Sequence, residues 1–308
     1  MIRTIDGKKV FTEELNPRFG YFYTIKESLR KENTKYQKME LVDTDEFGKV
    51  LLLDDITQVA EKNDHMYHEP MVHPALCSHP NPENILVIGG GDGGILREVL
   101  KYPTVKRVEF AELDEGVIRF AQKYLGSVHG GSFDDPRVNM NIVDGRKFTQ
   151  EHPGEFDVVI MDMTDPFGPS KMLYTKEFFG LVKRSMRSKA GVFVMHSESP
   201  VARPEAFSCI QKTLGSVFSN VNPIYMYIQM YAVLWSISIS SDKTDISEIK
   251  TSQTEERIER YGLENLKMYN AQTHKSMQVP FPYISEILTR PARIITDAEP
   301  DFPDNFIG

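Results

Sequence analysis

Cysteine is scarce in this sequence: Cys77 and Cys209 are the only two among 308 residues. So few exclude a disulfide framework or a cysteine-rich metal site, and they point to a reducing compartment. No apolar run approaches the roughly 20 residues that a membrane-crossing helix requires. The start, Met1-Ile2-Arg3-Thr4-Ile5-Asp6, lacks the apolar stretch of a secretory signal, so a cytoplasmic location is expected. Basic residues are in deficit, 36 Lys and Arg against 44 Asp and Glu, for a net charge of −8. A nucleic-acid binder carries a basic surface, which argues against that class. An acidic field instead concentrates cationic ligands. Tryptophan occurs once, and Trp235 reads as a core residue. There is no internal repeat and no low-complexity segment.

What is present falls into two grammars. In the first eighty residues, 19–25, 37–42 and 49–53 are short β-prone runs, and Asp43-Thr44-Asp45-Glu46-Phe47-Gly48 reads as a hairpin turn. Residues 1–80 are therefore expected to form a small antiparallel β domain with a linking helix over 64–77, which His79-Pro80-Asn81-Pro82 ends. From residue 84, apolar strands alternate with helices. Strands are expected at 84–88, 108–112, 138–143, 156–161 and 192–196, with helices at 95–100, 117–124, 175–186 and 205–217. This alternation predicts a parallel sheet covered on both faces, spanning 81–308. Residues 221–241 read as a closing hairpin, and the Pro- and Asp-rich tail from Thr289 is expected to wrap the surface or fray.

The first strand runs into Gly89-Gly90-Gly91-Asp92-Gly93-Gly94. A glycine turn between strand and helix lets the backbone approach a ligand closely. Glu112 ends the second strand some twenty residues on, where a carboxylate can accept both hydroxyls of a ribose. Asp144-Gly145, after the next strand, is placed to meet an adenine amino group. Asp92 is the unusual member, because a carboxylate among loop amides repels a phosphate. It suggests a ligand with a cationic end, a sulfonium nucleoside with an amine tail rather than a dinucleotide.

The strand at 156–161 ends in Asp162-Met163-Thr164-Asp165-Pro166-Phe167-Gly168-Pro169. An amine nucleophile must lose a proton to attack, so a carboxylate base at this edge fits. A second carboxylate can hold the amine in line. His65, His68 and Glu69 do not make a metal site: adjacent residues do not share a helix face, and no thiols join them. His68 reads better as a hydrogen-bond partner to the nucleoside.

With these pieces in place, the sequence resembles the spermidine synthase family of polyamine aminopropyltransferases. The resemblance is carried by residues 89–94, Leu96-Arg97-Glu98, Glu112-Leu113-Asp114, Asp144-Gly145 and the 162–169 run, in order along the chain. Val50-Leu51-Leu52-Leu53-Asp54, Gln58 and Tyr67-His68-Glu69 match upstream; Leu173-Tyr174-Thr175-Lys176-Glu177-Phe178-Phe179, Tyr269-Asn270 and His274 match downstream. It implies an α/β fold with a Rossmann-like, seven-stranded, methyltransferase-type sheet. It also implies transfer of an aminopropyl group from decarboxylated S-adenosylmethionine, a co-substrate rather than a cofactor, to putrescine or a related amine. By this resemblance Gln37, His68, Gly89, Gly91, Glu112, Asp144 and Gly145 hold the nucleoside, Asp92 takes the ammonium of the aminopropyl chain, and Asp162 is the base. Gln58, Tyr67, Asp165 and Tyr231 fall at the acceptor. No metal is needed, since the sulfonium already activates the carbon, and a homodimer or homotetramer is implied.

The sequence departs from the family at Gln229-Met230-Tyr231-Ala232-Val233-Leu234, where a proline-threonine-tyrosine-proline stretch and a glycine are usual. It departs again at His196-Ser197-Glu198-Ser199-Pro200. Acceptor choice is thereby left open between putrescine, a longer polyamine and agmatine. A small-amine N-methyltransferase using intact S-adenosylmethionine is the alternative chemistry, against which the pair Asp92 and Asp162 weighs.

Overall fold

The computed structural model describes residues 1–166 and 168–303. Three antiparallel strands open the chain: β1 (Ile2–Ile5), β2 (Lys8–Asn16) and β3 (Phe19–Thr24). A four-stranded antiparallel meander follows: β4 (Glu27–Asn33), β5 (Lys38–Thr44), β6 (Gly48–Leu53) and β7 (Ile56–Ala60). The expected hairpin at 43–48 joins β5 to β6, where Thr44 Oγ1 accepts from the Phe47 N–H at 2.9 Å. Between β6 and β7, Asp54 and Asp55 both take positive φ, +48° and +63°, as the tight turns of two-residue hairpins require. Val50, Leu51 and Leu52 of β6 are buried.

Helix α1 (His65–Leu76) is buried from Tyr67 to Leu76 and carries Pro70 and Pro74 inside it. It packs against the central sheet and against the following helix α2 (Gly94–Val99), so it has no wet face and no amphipathic stripe. The sheet elements then come in turn: β8 (Asn84–Gly89), β9 (Arg107–Glu112), α3 (Glu115–Tyr124), α4 (Gly126–His129) and β10 (Val138–Ile142). They continue with α5 (Gly145–Glu151), β11 (Val158–Asp162), α6 (Lys176–Ser185), β12 (Val192–His196) and α7 (Pro204–Gly215). The long strands β13 (Asn220–Ile228) and β14 (Val233–Ser241) complete the sheet.

The sheet has seven strands in the order β10-β9-β8-β11-β12-β14-β13. The first five are parallel; β14 pairs antiparallel with β12 and β13 antiparallel with β14, which is the expected closing hairpin. Side chains alternate across the pleat. Ile85 and Val87 of β8 therefore join the core on the α1 side, while Leu86 and Ile88 join the core under α5, α6 and α7. Burial on both faces explains why the inner strands are continuous apolar runs.

Register sets the carboxyl edge. Asp162 pairs with Gly89 across β11 and β8, and Ile142 pairs with Glu112 across β10 and β9. The strand ends read separately in the sequence therefore lie side by side. Three further helices, α8 (Thr251–Tyr261), α9 (Ala271–Ser276) and α10 (Pro282–Thr289), follow the hairpin. The tail wraps rather than frays over its described part. Ile295 and Phe302 are buried, and Asp297 pairs with Arg146 and Thr175. Among the described residues no helix is long and apolar enough to cross a membrane.

Candidate active site

The glycine loop is pinned where β8 meets β11. Gly89 and Gly90 take φ of +75° and +74°, and the Gly90 N–H donates to the Asp162 carbonyl at 2.8 Å. A side chain on Gly89 would run into that same carbonyl. Asp92 Oδ1 accepts from the Gly94 N–H at 2.7 Å and lies 3.5 Å from His68 Nε2. The His68 ring fills the space that a side chain at position 94 would need.

His68 sits behind the loop rather than in the open cavity. Its Nδ1 is 3.3 Å from Asp64 Oδ2, and Asp64 in turn pairs with Arg97 at 2.7 Å. Burial alone would push its pKa down, but Asp92 and Asp64 outweigh that and raise it to about 10. Burial would likewise push Asp92 up, yet the imidazolium holds it below the ordinary carboxylate value. The resemblance gave His68 a place against the nucleoside; the structure gives it Asp92 and Asp64 as partners, because it projects from α1 beneath the loop.

At the end of β9, Glu112 Oε1 accepts from the Asp114 N–H at 2.8 Å, and burial raises its pKa to about 7. Gln37 Nε2 donates to Asp114 Oδ2 at 3.0 Å, which ties the turn between β4 and β5 to this strand end. Asp144 Oδ1 accepts from the Lys147 N–H at 3.0 Å and so caps α5. Asp144 borders a neighbouring cleft of about 760 Å³, which shares Tyr36, Leu113 and Asp114 with the main cavity. Gly145 contacts Ile88, where any side chain would collide. Both residues lie off the main cavity wall.

Asp162 occupies the centre. Its Oδ1 accepts from the Tyr67 hydroxyl at 2.7 Å. Burial, then the charge on Asp92, push its pKa up to about 6, against the opposing pull of His68 and Tyr67. Tyr67 packs edge-on to Tyr231 at 6.3 Å, and the Tyr231 hydroxyl donates to the Gln58 carbonyl at 2.9 Å. Asp165 is reached by Arg203 at 3.3 Å. Phe167 lies outside the described residues.

Together these groups line a cavity of about 510 Å³, whose walls include Gln37, Gln58, Tyr67, Gly89, Gly91, Asp92, Glu112, Asp162, Asp165 and Tyr231. Sequence reasoning missed several of its other residues. Glu13 comes from β2 and gave no signal in an exposed-looking strand. Glu198 and Arg203 follow β12, within and just beyond the departure at 196–200. Trp235 is buried as expected but also forms cavity wall, stacked on His196 at 5.8 Å with its Nε1 unpartnered. Among the described residues lining the cavity, the eight carboxylates of Glu13, Asp54, Asp92, Glu112, Asp114, Asp162, Asp165 and Glu198 face one guanidinium, that of Arg203. Such a lining binds cations.

The chain is similar to known proteins over most of its length. Residues 64–252 match the family described as the spermine/spermidine synthase domain, and residues 9–61 match the spermidine synthase tetramerisation domain. The chain is 36% identical to a polyamine aminopropyltransferase of Nitrosomonas europaea over 92% of its own length and 87% of the relative's. It is 40% identical to the polyamine aminopropyltransferase of Sulfurisphaera tokodaii, over 90% and 92% of the two chains. Among solved structures, a spermidine synthase in complex with the transition-state analogue AdoDATO superposes with a TM-score of 0.85 at 31% identity, covering 91% of this chain and 94% of that one. The spermidine synthase of Thermotoga maritima gives 0.83 at 29% identity, over 91% and 93%.

Proposed function

The chain belongs to the spermine/spermidine synthase family, and we propose that it transfers the aminopropyl group of decarboxylated S-adenosylmethionine to a polyamine, releasing methylthioadenosine. The observation that carries this reading is the pair of carboxylates in one cavity, Asp92 within the glycine turn and Asp162 at the end of β11 beside it. Asp92, kept ionised by His68, is suited to the ammonium of the aminopropyl chain. It repels the carboxylate that intact S-adenosylmethionine would bring there. Glu112 receives the ribose hydroxyls, and Gln37 steadies that strand end through Asp114.

The chemistry is a displacement at the methylene beside the sulfonium. The neutral amine forms a C–N bond, the C–S bond breaks, and a neutral thioether leaves. The amine proton passes to Asp162, whose raised pKa makes it a better base than an ordinary carboxylate. Tyr67 holds the Asp162 carboxylate in position, and Gln58, Asp165 and Tyr231 border the acceptor. Putrescine is the acceptor proposed, in a cytoplasmic homo-oligomer joined through the N-terminal sheets. The test is Asp162→Asn, which should lower kcat by about 10²- to 10⁴-fold with the decarboxylated donor; unchanged turnover would remove Asp162 from its assigned role.

A further inference from the structure

Among the cavity groups that this reaction does not use is a guanidinium buried among carboxylates. Arg203, immediately before α7, is 5% exposed. Its Nε donates to the Leu15 carbonyl at 2.9 Å, and its Nη1 lies 3.0 Å from Glu198 Oε1 and 3.3 Å from Asp165 Oδ2. Glu198 is wholly buried and sits at a positive φ of +69°. Ser236 fixes it there, donating to the Glu198 carbonyl from its N–H at 3.1 Å and from its hydroxyl at 2.6 Å.

Glu13 lines the same cavity without such a partner. Its Oε2 accepts from the Thr57 N–H at 2.8 Å, a neutral donor. Its pKa is raised to about 7 by burial, with the Asp165 charge adding to the rise. A half-buried carboxylate such as Glu13 favours any cation that reaches it, because the ionised form has lost part of its water. Arg203 meets that need for Glu198 and Asp165 together, and Glu13 is left for the ligand. The attacking nitrogen must be neutral at Asp162, so the ammonium at the far end of the acceptor is the charge that Glu13 is placed to match.

On the aminopropyl-transfer reading, on which this rests, we infer that Arg203 determines acceptor specificity. It satisfies Glu198 and Asp165, so the site accepts a diamine whose distal ammonium pairs with Glu13. A triamine would bring a second cation to Glu198 and Asp165, where the guanidinium already holds the place that cation would need.

The test compares putrescine and spermidine as acceptors, with products resolved by mass, in the native protein, Arg203→Met and Arg203→Lys. The native protein should prefer the diamine. Arg203→Met should raise the triamine-to-diamine ratio of kcat/KM about tenfold to a hundredfold, the scale of one charge-assisted contact. Arg203→Lys, which keeps the charge, should preserve the native preference. A native preference for the triamine, or an unchanged ratio in folded Arg203→Met, would overturn the inference. Should Arg203→Met fail to fold, Glu13→Gln decides: it should raise the diamine KM about tenfold with a smaller change in kcat, and an unchanged KM would overturn the assignment. Absence of any aminopropylated product from the native protein would instead overturn the underlying reaction.

Discussion

At the residue scale, the site rests on three linked charges. Asp92 and Asp162 are both half-buried in the wall of one cavity, and the His68 imidazolium relieves their repulsion from beneath the loop. Asp162 must be ionised to take a proton, and its pKa lies near 6. As pH falls through that value the base is progressively protonated, so kcat should decline on the acid side with an apparent pKa of about 6. Removing the neighbouring negative charge by Asp92→Asn should move this limb to lower pH, measured at saturating donor; a limb that stayed in place would mean Asp92 does not act on Asp162. The same substitution bears on donor choice. Asp92→Asn should narrow the preference for the decarboxylated donor over intact S-adenosylmethionine by about tenfold or more, measured as a ratio of binding constants.

At the scale of elements, the C-terminal tail supports the segment that follows Asp162. Phe302 packs edge-on to Tyr174 at 6.1 Å, and the Tyr174 hydroxyl is 3.1 Å from the Thr164 carbonyl and 2.6 Å from His196 Nε2. Lys171 pairs with Asp301 at 2.6 Å. Phe302→Ala should therefore cost about 3 kcal/mol of stability in denaturant titration, and it should raise the acceptor KM by loosening Tyr174 and its contact with Thr164. A loss of stability with no change in KM would confine the tail to a structural role. This tail also marks the limit of what the sequence revealed. The inner strands β8, β11 and β12 were legible because burial on both faces leaves nearly unbroken apolar runs. The carboxyl ends of β8, β9 and β11 then lined up Gly89, Glu112 and Asp162 in chain order. Helix α5 escaped notice because it is short and is capped by Asp144, whose carboxylate reads equally as a cap or as a ligand. Glu13 and Arg203 were invisible for a different reason. Arg203 binds the carbonyl of Leu15, 188 residues away in the chain, and no local pattern records such a meeting.

At the scale of the molecule, the acidic balance of the chain is concentrated where it acts, in a cavity whose described lining has eight carboxylates and one guanidinium. The N-terminal sheets leave Phe19 and Phe22 exposed, at 46% and 63%. Exposed aromatics on a sheet suit burial between subunits. Light scattering should find a tetramer, and Phe22→Asp should shift it to smaller species; an unaltered tetramer would place the interface elsewhere. The central claim is that this cavity moves an aminopropyl group to an amine. Its most direct test is mass analysis of the products formed from putrescine with decarboxylated and with intact S-adenosylmethionine. An aminopropylated amine and methylthioadenosine should form from the decarboxylated donor alone, and a methylated amine from the intact donor would contradict aminopropyl transfer.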